Sequence, residues 1–286
     1  MTPSLFSAPG RGRNYTPLRA LAELALRHAY RGDWPARLWA RVPGATRVER
    51  VEIDLTVGLA APLTITFASD LHLGPTTSSR TLDAAFAALA EARADVLALG
   101  GDYVFLEATR EKARELRARV EAVPARTKIA VLGNHDLWTH HRRIEDALRE
   151  AGAHVLVNDA VRLPAPHADV AVLGLDDPWT GAPDADRAAR AAGDARVRVA
   201  LCHSPDGAPL LTDRGVALLL AGHTHGGQIA LPGPRPVIVP GALGKRFPHG
   251  HHHLGAMSLV VSRGVGGVEL PMRAHAPPDV LVARLT

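Results

Sequence analysis

The chain has 286 residues, 47% of them hydrophobic and 22% charged, which supplies a sizeable core and excludes a disordered or fibrous protein. Cys202 is the single thiol, so an internal disulfide and a thiolate zinc site are excluded. The formal net charge of +4 favours an anionic partner, a phosphorylated substrate or a membrane surface, while no Lys/Arg block with interleaved aromatics marks a nucleic-acid surface. No run reaches the roughly 18 apolar residues of a membrane span, and the N-terminus lacks the continuous apolar centre of a signal peptide. A cytoplasmic location fits, and so does an exported protein without disulfides.

Residues 1–15 are rich in Pro, Gly and Arg and are expected to be poorly ordered. "LRALAELALRHAYRGDW" then predicts an amphipathic helix with Leu18, Leu21, Ala22 and Ala25 on one face and Arg19, Glu23 and Arg27 breaking the apolar run. Such a helix either packs on the body or lies on a membrane surface, helped by Trp34 and Trp39. Residues 1–45 are read as an extension and 46–286 as the catalytic domain. "VERVEIDLTV" predicts a half-buried strand. Six short apolar runs follow, each ending abruptly: "LTITFASDLHLG", "ADVLALGGDYV", "TKIAVLGNHDLW", "ADVAVLGLDDPW", "RVRVALCHSPDG" and "GVALLLAGHTHGG". Helical stretches at 79–93, 107–122 and 139–151 separate several of them. Strand–helix alternation indicates an α/β fold. "AMSLVVSRG", "GVELPM" and "DVLVARL" read as later strands without helices between them, so the sheets should be mixed.

In open α/β sheets, ligands collect beyond the carboxyl ends of strands. Asp, His or Asn stands at that point in all six runs: Asp70 and His72; Asp102; Asn134, His135 and Asp136; Asp176 and Asp177; His203; His223 and His225. Any one group alone is an ordinary turn or cap. Six together, with Gly101, Gly133 and Gly222 where the backbone must turn, imply a metal site of nitrogen and oxygen ligands. Seven ligands are too many for one tetrahedral zinc and suit two divalent ions sharing a carboxylate, a centre that clamps a phosphoryl group. Mn, Fe, Zn and Co all match such donors. His223 and His225, two apart, should face one way if their segment is extended.

"SDLHLG", "GGDYV", "GNHD", "CHSPD" and "GHTHGGQ", in this order, resemble the calcineurin-like metallophosphoesterases over roughly residues 48–286. "VSRGVGG" and "PPDVLVARL" extend the likeness to a bacterial subgroup that includes membrane-associated phosphodiesterases and a UDP-2,3-diacylglucosamine pyrophosphatase. The resemblance implies a four-layer αββα sandwich. It implies Asp70, His72 and His225 on a first metal, Asp102 bridging, and Asn134, His203 and His223 on a second. His135 would sit beside the leaving group as general acid or phosphate-stabilising group, oriented by a hydrogen bond to Asp136. The implied activity is hydrolysis of a phosphodiester or pyrophosphate by a hydroxide held between the metals, in a lipid-linked substrate at the cytoplasmic membrane face. The alternatives are a soluble phosphodiesterase for nucleotides or other small molecules, and a non-catalytic scaffold, which the intact ligand set disfavours.

Other features are less specific. Gln228 and Arg263 are expected substrate contacts; Arg263, with Lys245, Arg246 and Arg273, would either meet a distal phosphate or add to surface charge. Asp176 and Asp177 should shape their loop, or else contact substrate or support a metal ligand. Trp138 and Trp179 line a pocket wall or fill the core. His249, His251, His252 and His253 read as a solvated loop or as an accessory metal or phosphate contact. Gly226 and Gly227 should leave open space where a phosphate approaches.

Overall fold

The structure is a computed structural model and describes residues 10–233 and 235–286; the disorder expected of residues 1–9 lies outside the described residues. The chain runs α1 (Pro17–Ala29), α2 (Trp34–Trp39), β1 (Glu49–Leu55), β2 (Leu63–Ala68), α3 (Ser79–Glu91), β3 (Val96–Leu99), α4 (Arg110–Ala122), β4 (Thr127–Ala130), α5 (Asn134–Trp138), α6 (His141–Glu150) and β5 (Ala153–Val155). It continues through β6 (Asp159–Arg162), β7 (Val170–Gly174), α7 (Ala185–Ala191), β8 (Val197–Leu201), β9 (Val216–Ala221), β10 (Ala230–Leu231), β11 (Arg235–Pro236), β12 (Gly250–Leu254), β13 (Met257–Val261) and β14 (Asp279–Leu285). Helix starts follow local chemistry: the hydroxyls of Thr16, Ser78 and Thr109 each accept a first-turn N–H of α1, α3 and α4, satisfying donors that a helix leaves open.

Two mixed sheets form, ordered β1-β14-β2-β3-β4-β5 and β12-β13-β9-β8-β7-β6. Side chains alternate across each strand, and the apolar residues serve two cores per sheet. Ile65, Phe67, Val96, Ala98 and Ile129 of the first sheet meet Val172, Val199, Leu201, Leu218 and Leu220 of the second. The alternate residues Leu97 and Leu99 pack outward under α3, α4 and α6, and Leu173, Ala200 and Leu219 pack outward beside α7. The layers are therefore αββα. Parallel pairing of β2, β3 and β4, and of β7, β8 and β9, brings their carboxyl ends to one edge of the sandwich.

Three expectations need correction. "GVELPM" is not a strand: Glu269 has φ of 60° and Pro271 lacks a ladder donor, so residues 267–272 form a loop. The His-rich run is not a loop but edge strand β12, paired antiparallel with β13, His251 opposite Val260 and His253 opposite Ser258. Residues 10–15 are pinned: Gly12 N donates to the Leu137 carbonyl (2.8 Å), Arg13 N to that of Thr180 (2.8 Å), and Arg11 binds Asp176 through both terminal nitrogens (2.6 and 2.8 Å).

Helix α1 packs on the body with its charged side. Glu23 is 4% exposed, while Leu18 is 77% and Leu21 54% exposed. A buried carboxylate needs partners. Glu23 takes Arg19 Nε (2.9 Å) and the Tyr15 hydroxyl (2.8 Å), with Arg27 at 3.9 Å.

Candidate metal centre and its pocket

Asp70 and His72 follow β2, Asp102 follows β3, Asn134 opens α5 after β4, His203 follows β8, and His223 and His225 follow β9. All seven are buried. The backbone is bent to deliver them: Asp70, His72, Asp102, His223 and His225 have φ of 54°, 44°, 55°, 71° and 53°. Left-handed φ costs a non-glycine residue about 1 kcal/mol or more, and such strain concentrates at functional sites. The glycines serve close approach as well as turning. Gly101 is left-handed, with φ of 91°. A Cβ on Gly133 would strike Asp102 Oδ1, and one on Gly222 would strike Ser69 Oγ and Asp70 Oδ2.

The side chains converge in three overlapping groups, Asp70, His72 and His225; Asp102, His203 and His223; and His72, Asp102 and His135 between them, with ligand atoms in each group within 4.8 Å of one another. His72 Nε2 lies 3.2 Å from His225 Nε2, and His203 Nε2 lies 3.2 Å from both His223 Nδ1 and Asn134 Oδ1. Asp102 links the groups, its Oδ2 3.2 Å from His203 Nε2 and 3.7 Å from His72 Nε2. The Gly100 carbonyl takes His203 Nδ1 at 2.8 Å, which turns the Nε2 lone pair inward, as in a metal-binding imidazole.

The electrostatics suit divalent cations. Burial lowers His72 to about 4 and His223 to about 3, so these imidazoles are neutral with lone pairs available. Burial pushes Asp70 up to about 6, with His203 opposing and Asp102 adding to the shift; Asp102, 3.2 Å from His203, holds that residue well above the usual imidazole value and is itself held low by it. Imidazole nitrogens facing one another at 3.2 Å around buried carboxylates are the donor set of cations held between them.

His135 and Asp136 have different settings. His135 lines the pocket, its ring edge-on to His72 (4.9 Å between centroids) and Trp138 (5.2 Å). The Asp136 carboxylate instead accepts three backbone N–H groups, those of Asp102 (2.7 Å), Tyr103 (2.8 Å) and Gly133 (3.0 Å). The expected bond between Asp136 and His135 is replaced by a clamp on the β3 and β4 loops.

Residues 63–227 match the calcineurin-like phosphoesterase family. The chain belongs to that family. It is 30% identical over 220 residues to the metallophosphoesterase YkuE of Bacillus subtilis, covering 76% of this chain and 77% of that one. It is 29% identical over 249 residues to the phosphodiesterase YaeI of Escherichia coli, covering 85% and 89%. The solved structure of TT1561 from Thermus thermophilus aligns over 72% of this chain and 91% of that one, at 16% identity and a TM-score of 0.45. This phosphoesterase is thus a metal-dependent phosphoester hydrolase of a family that uses divalent ions. No helix among its described residues is long and apolar enough to cross a membrane.

A cavity of about 410 Å³ joins the centre to an apolar wall. Asp102, Asn134, His135, His223 and His225 line it together with Ile229, Val237, Ile238 and Leu270. Trp138 and Trp179 both line it, and Trp179 stands 5.4 Å from both Trp138 and His223. Asp177 fixes Trp179 by accepting its N–H (3.1 Å), and Asp176 receives Arg11, so both aspartates shape this loop.

Gln228 lines the cavity with its amide engaged: Nε2 donates to the carbonyls of Val268 and Leu270 (3.0 Å each), and Oε1 accepts Val268 N (2.8 Å). It clips two rim loops together. Arg263 lies outside the cavity, bound to Asp279 (2.8 Å) and Glu49 (2.7 Å), which leaves its expected substrate contact without access. Arg273 Nη2 lies 3.1 Å from His225 Nδ1 and backs that ring. The space expected beside Gly226 and Gly227 is filled by the Arg263 stem and Pro236. Arg19 lines the pocket unforeseen, 4.9 Å above the Trp138 ring, with a buried Nη2 that has no partner. Its spacing from Glu23 and Arg27 is the available signal.

Proposed function

We propose that the enzyme hydrolyses a phosphodiester or pyrophosphate bond in a lipid-linked substrate, of which UDP-2,3-diacylglucosamine is the type, as a peripheral protein on a membrane surface. The reading is carried by the pocket, where the ligand cluster adjoins the apolar wall of Ile229, Val237, Ile238 and Leu270. Concave sites that are apolar with a few convergent polar groups bind ligands of matching division. The E. coli relative named a phosphodiesterase supports a diester-type bond.

Asp70, His72 and His225 would hold one ion, Asn134, His203 and His223 the other, and Asp102 would serve both. When bound, the ions supply positive charge to the transferring phosphoryl group and lower the pKa of the attacking water. His135, which burial holds well below the usual imidazole value and therefore neutral, faces the reacting group from the cavity wall and would donate its ring N–H to the leaving oxygen. Asp136 keeps Asp102 and His135 in register by holding the amides of Gly133, Asp102 and Tyr103. Trp138 and Trp179 exclude water from one side of the phosphate.

A comparison of kcat/KM tests the substrate class. Each buried methylene contributes about 0.8 kcal/mol, so a nucleotide-sugar pyrophosphate bearing acyl chains is expected to exceed its deacylated counterpart by at least about tenfold. Equal values, or a preference for the deacylated compound, would instead identify a soluble nucleotide phosphodiesterase.

A further inference from the structure

The N-terminal helices present their apolar residues to solvent. On α1, Leu18, Leu21 and Leu24 are 77%, 54% and 49% exposed, opposite the buried Glu23. Beyond it, Trp34, Leu38 and Val42 are 51%, 56% and 43% exposed. A surface helix ordinarily turns its apolar stripe to the core, and a contiguous exposed apolar patch marks an interaction site.

The charges of the same segment define the partner. Between Leu24 and Val48, Arg27, Arg31, Arg37, Arg41 and Arg47 stand against a single carboxylate, Asp33. Arg31, Arg37 and Arg41 are exposed. Arg27 pairs with Glu107, but leucines and tryptophan beside the exposed Arg31, Arg37 and Arg41 match the boundary of an anionic bilayer, acyl chains below and phosphates above. We propose that α1, α2 and the turn to Val42 form a docking surface for an anionic lipid bilayer.

The surface adjoins the pocket rim. Arg19 donates to Glu269 (2.8 Å), and the Tyr30 hydroxyl donates to the Glu269 carbonyl (2.9 Å). Leu270 and Met272, next along the rim loop, are 40% and 42% exposed. Docking through α1 would bring the cavity mouth to the lipid headgroups. Its purpose rests on the lipid-linked reading above, whereas docking itself is measurable without turnover.

The test is co-sedimentation of the full chain with vesicles of phosphatidylglycerol and phosphatidylcholine, against vesicles of phosphatidylcholine alone. Point variants are required, because deleting residues 1–45 also removes Arg19 from the pocket. Binding to the anionic vesicles is expected, and a Leu18→Glu, Leu21→Glu double variant and an Arg37→Glu, Arg41→Glu double variant should each weaken it by about tenfold or more. Hydrolysis of soluble bis(p-nitrophenyl) phosphate should stay unchanged in both, which shows that they fold. Absence of vesicle binding by the natural chain, or equal binding by the variants, overturns the proposal. So does a dimer that the leucine variant disperses, since the patch would then belong to a second copy. Vesicle binding without hydrolysis of any lipid-linked ester would overturn the substrate reading alone.

Discussion

Replacing Asp102 with Ala is expected to lower hydrolysis of bis(p-nitrophenyl) phosphate by more than about 100-fold, the upper end of what losing a partner outside the ligand shell costs. Asp102 links the two sides of the centre, with Oδ2 between His203 and His72. Its other oxygen, Oδ1, accepts the His135 backbone N–H at 2.8 Å, so the same carboxylate also sets the start of α5. The variant Asp102→Asn separates these roles, because an amide oxygen keeps the contact to His135 N while the negative charge is lost. Both variants should retain their far-ultraviolet circular dichroism, since the cores of the sandwich lie below the loops. Activity of either near that of the natural chain would remove Asp102 from the centre.

Replacing His135 with Ala is expected to cost about 10²–10⁴-fold with an alkyl leaving group, the range of general acid–base catalysis, and less than about tenfold with p-nitrophenolate. The difference arises because nitrophenolate departs without a proton and an alkoxide does not. His135 sits on the cavity wall between His72 and Trp138, and its loss would also open space beside Trp138. A merely structural role would therefore lower both substrates alike. Equal losses measured as kcat would assign His135 to packing and leave the leaving group to solvent.

Much of the centre is legible in the sequence because strand ends are. Period-two apolar runs fix which residues are core, and the first polar residues after each run must emerge at one edge of the parallel strands. That logic brings Asp70, His72, Asp102, Asn134, His203, His223 and His225 to one place. It does not extend to geometry within the loops. An extended segment would put His223 and His225 on one side. Their left-handed φ values instead send one ring toward Asp102 and the other toward Asp70.

The remaining differences all depend on partners distant in sequence. Asp136 meets the amide of Tyr103, 33 positions away, and periodicity carries no information on that encounter. Gln228 clips the rim through carbonyls at 268 and 270, and Arg263 is held by Glu49 from β1. The orientation of α1 is the clearest case. Amphipathic spacing defines an apolar stripe but not which side faces the body. Here the charged side is buried because Arg19 and Tyr15 satisfy Glu23.

The central claim is that these strand ends form a two-ion hydrolytic centre. The most direct measurement is chelator-stripped protein titrated with a divalent ion, with bound metal and hydrolysis of bis(p-nitrophenyl) phosphate followed together. Negligible activity is expected in the stripped protein and full activity as about two ions bind per chain, with Asp102→Ala binding fewer and remaining inactive. Full activity without bound metal, or unaltered activity and binding in Asp102→Ala, would contradict it.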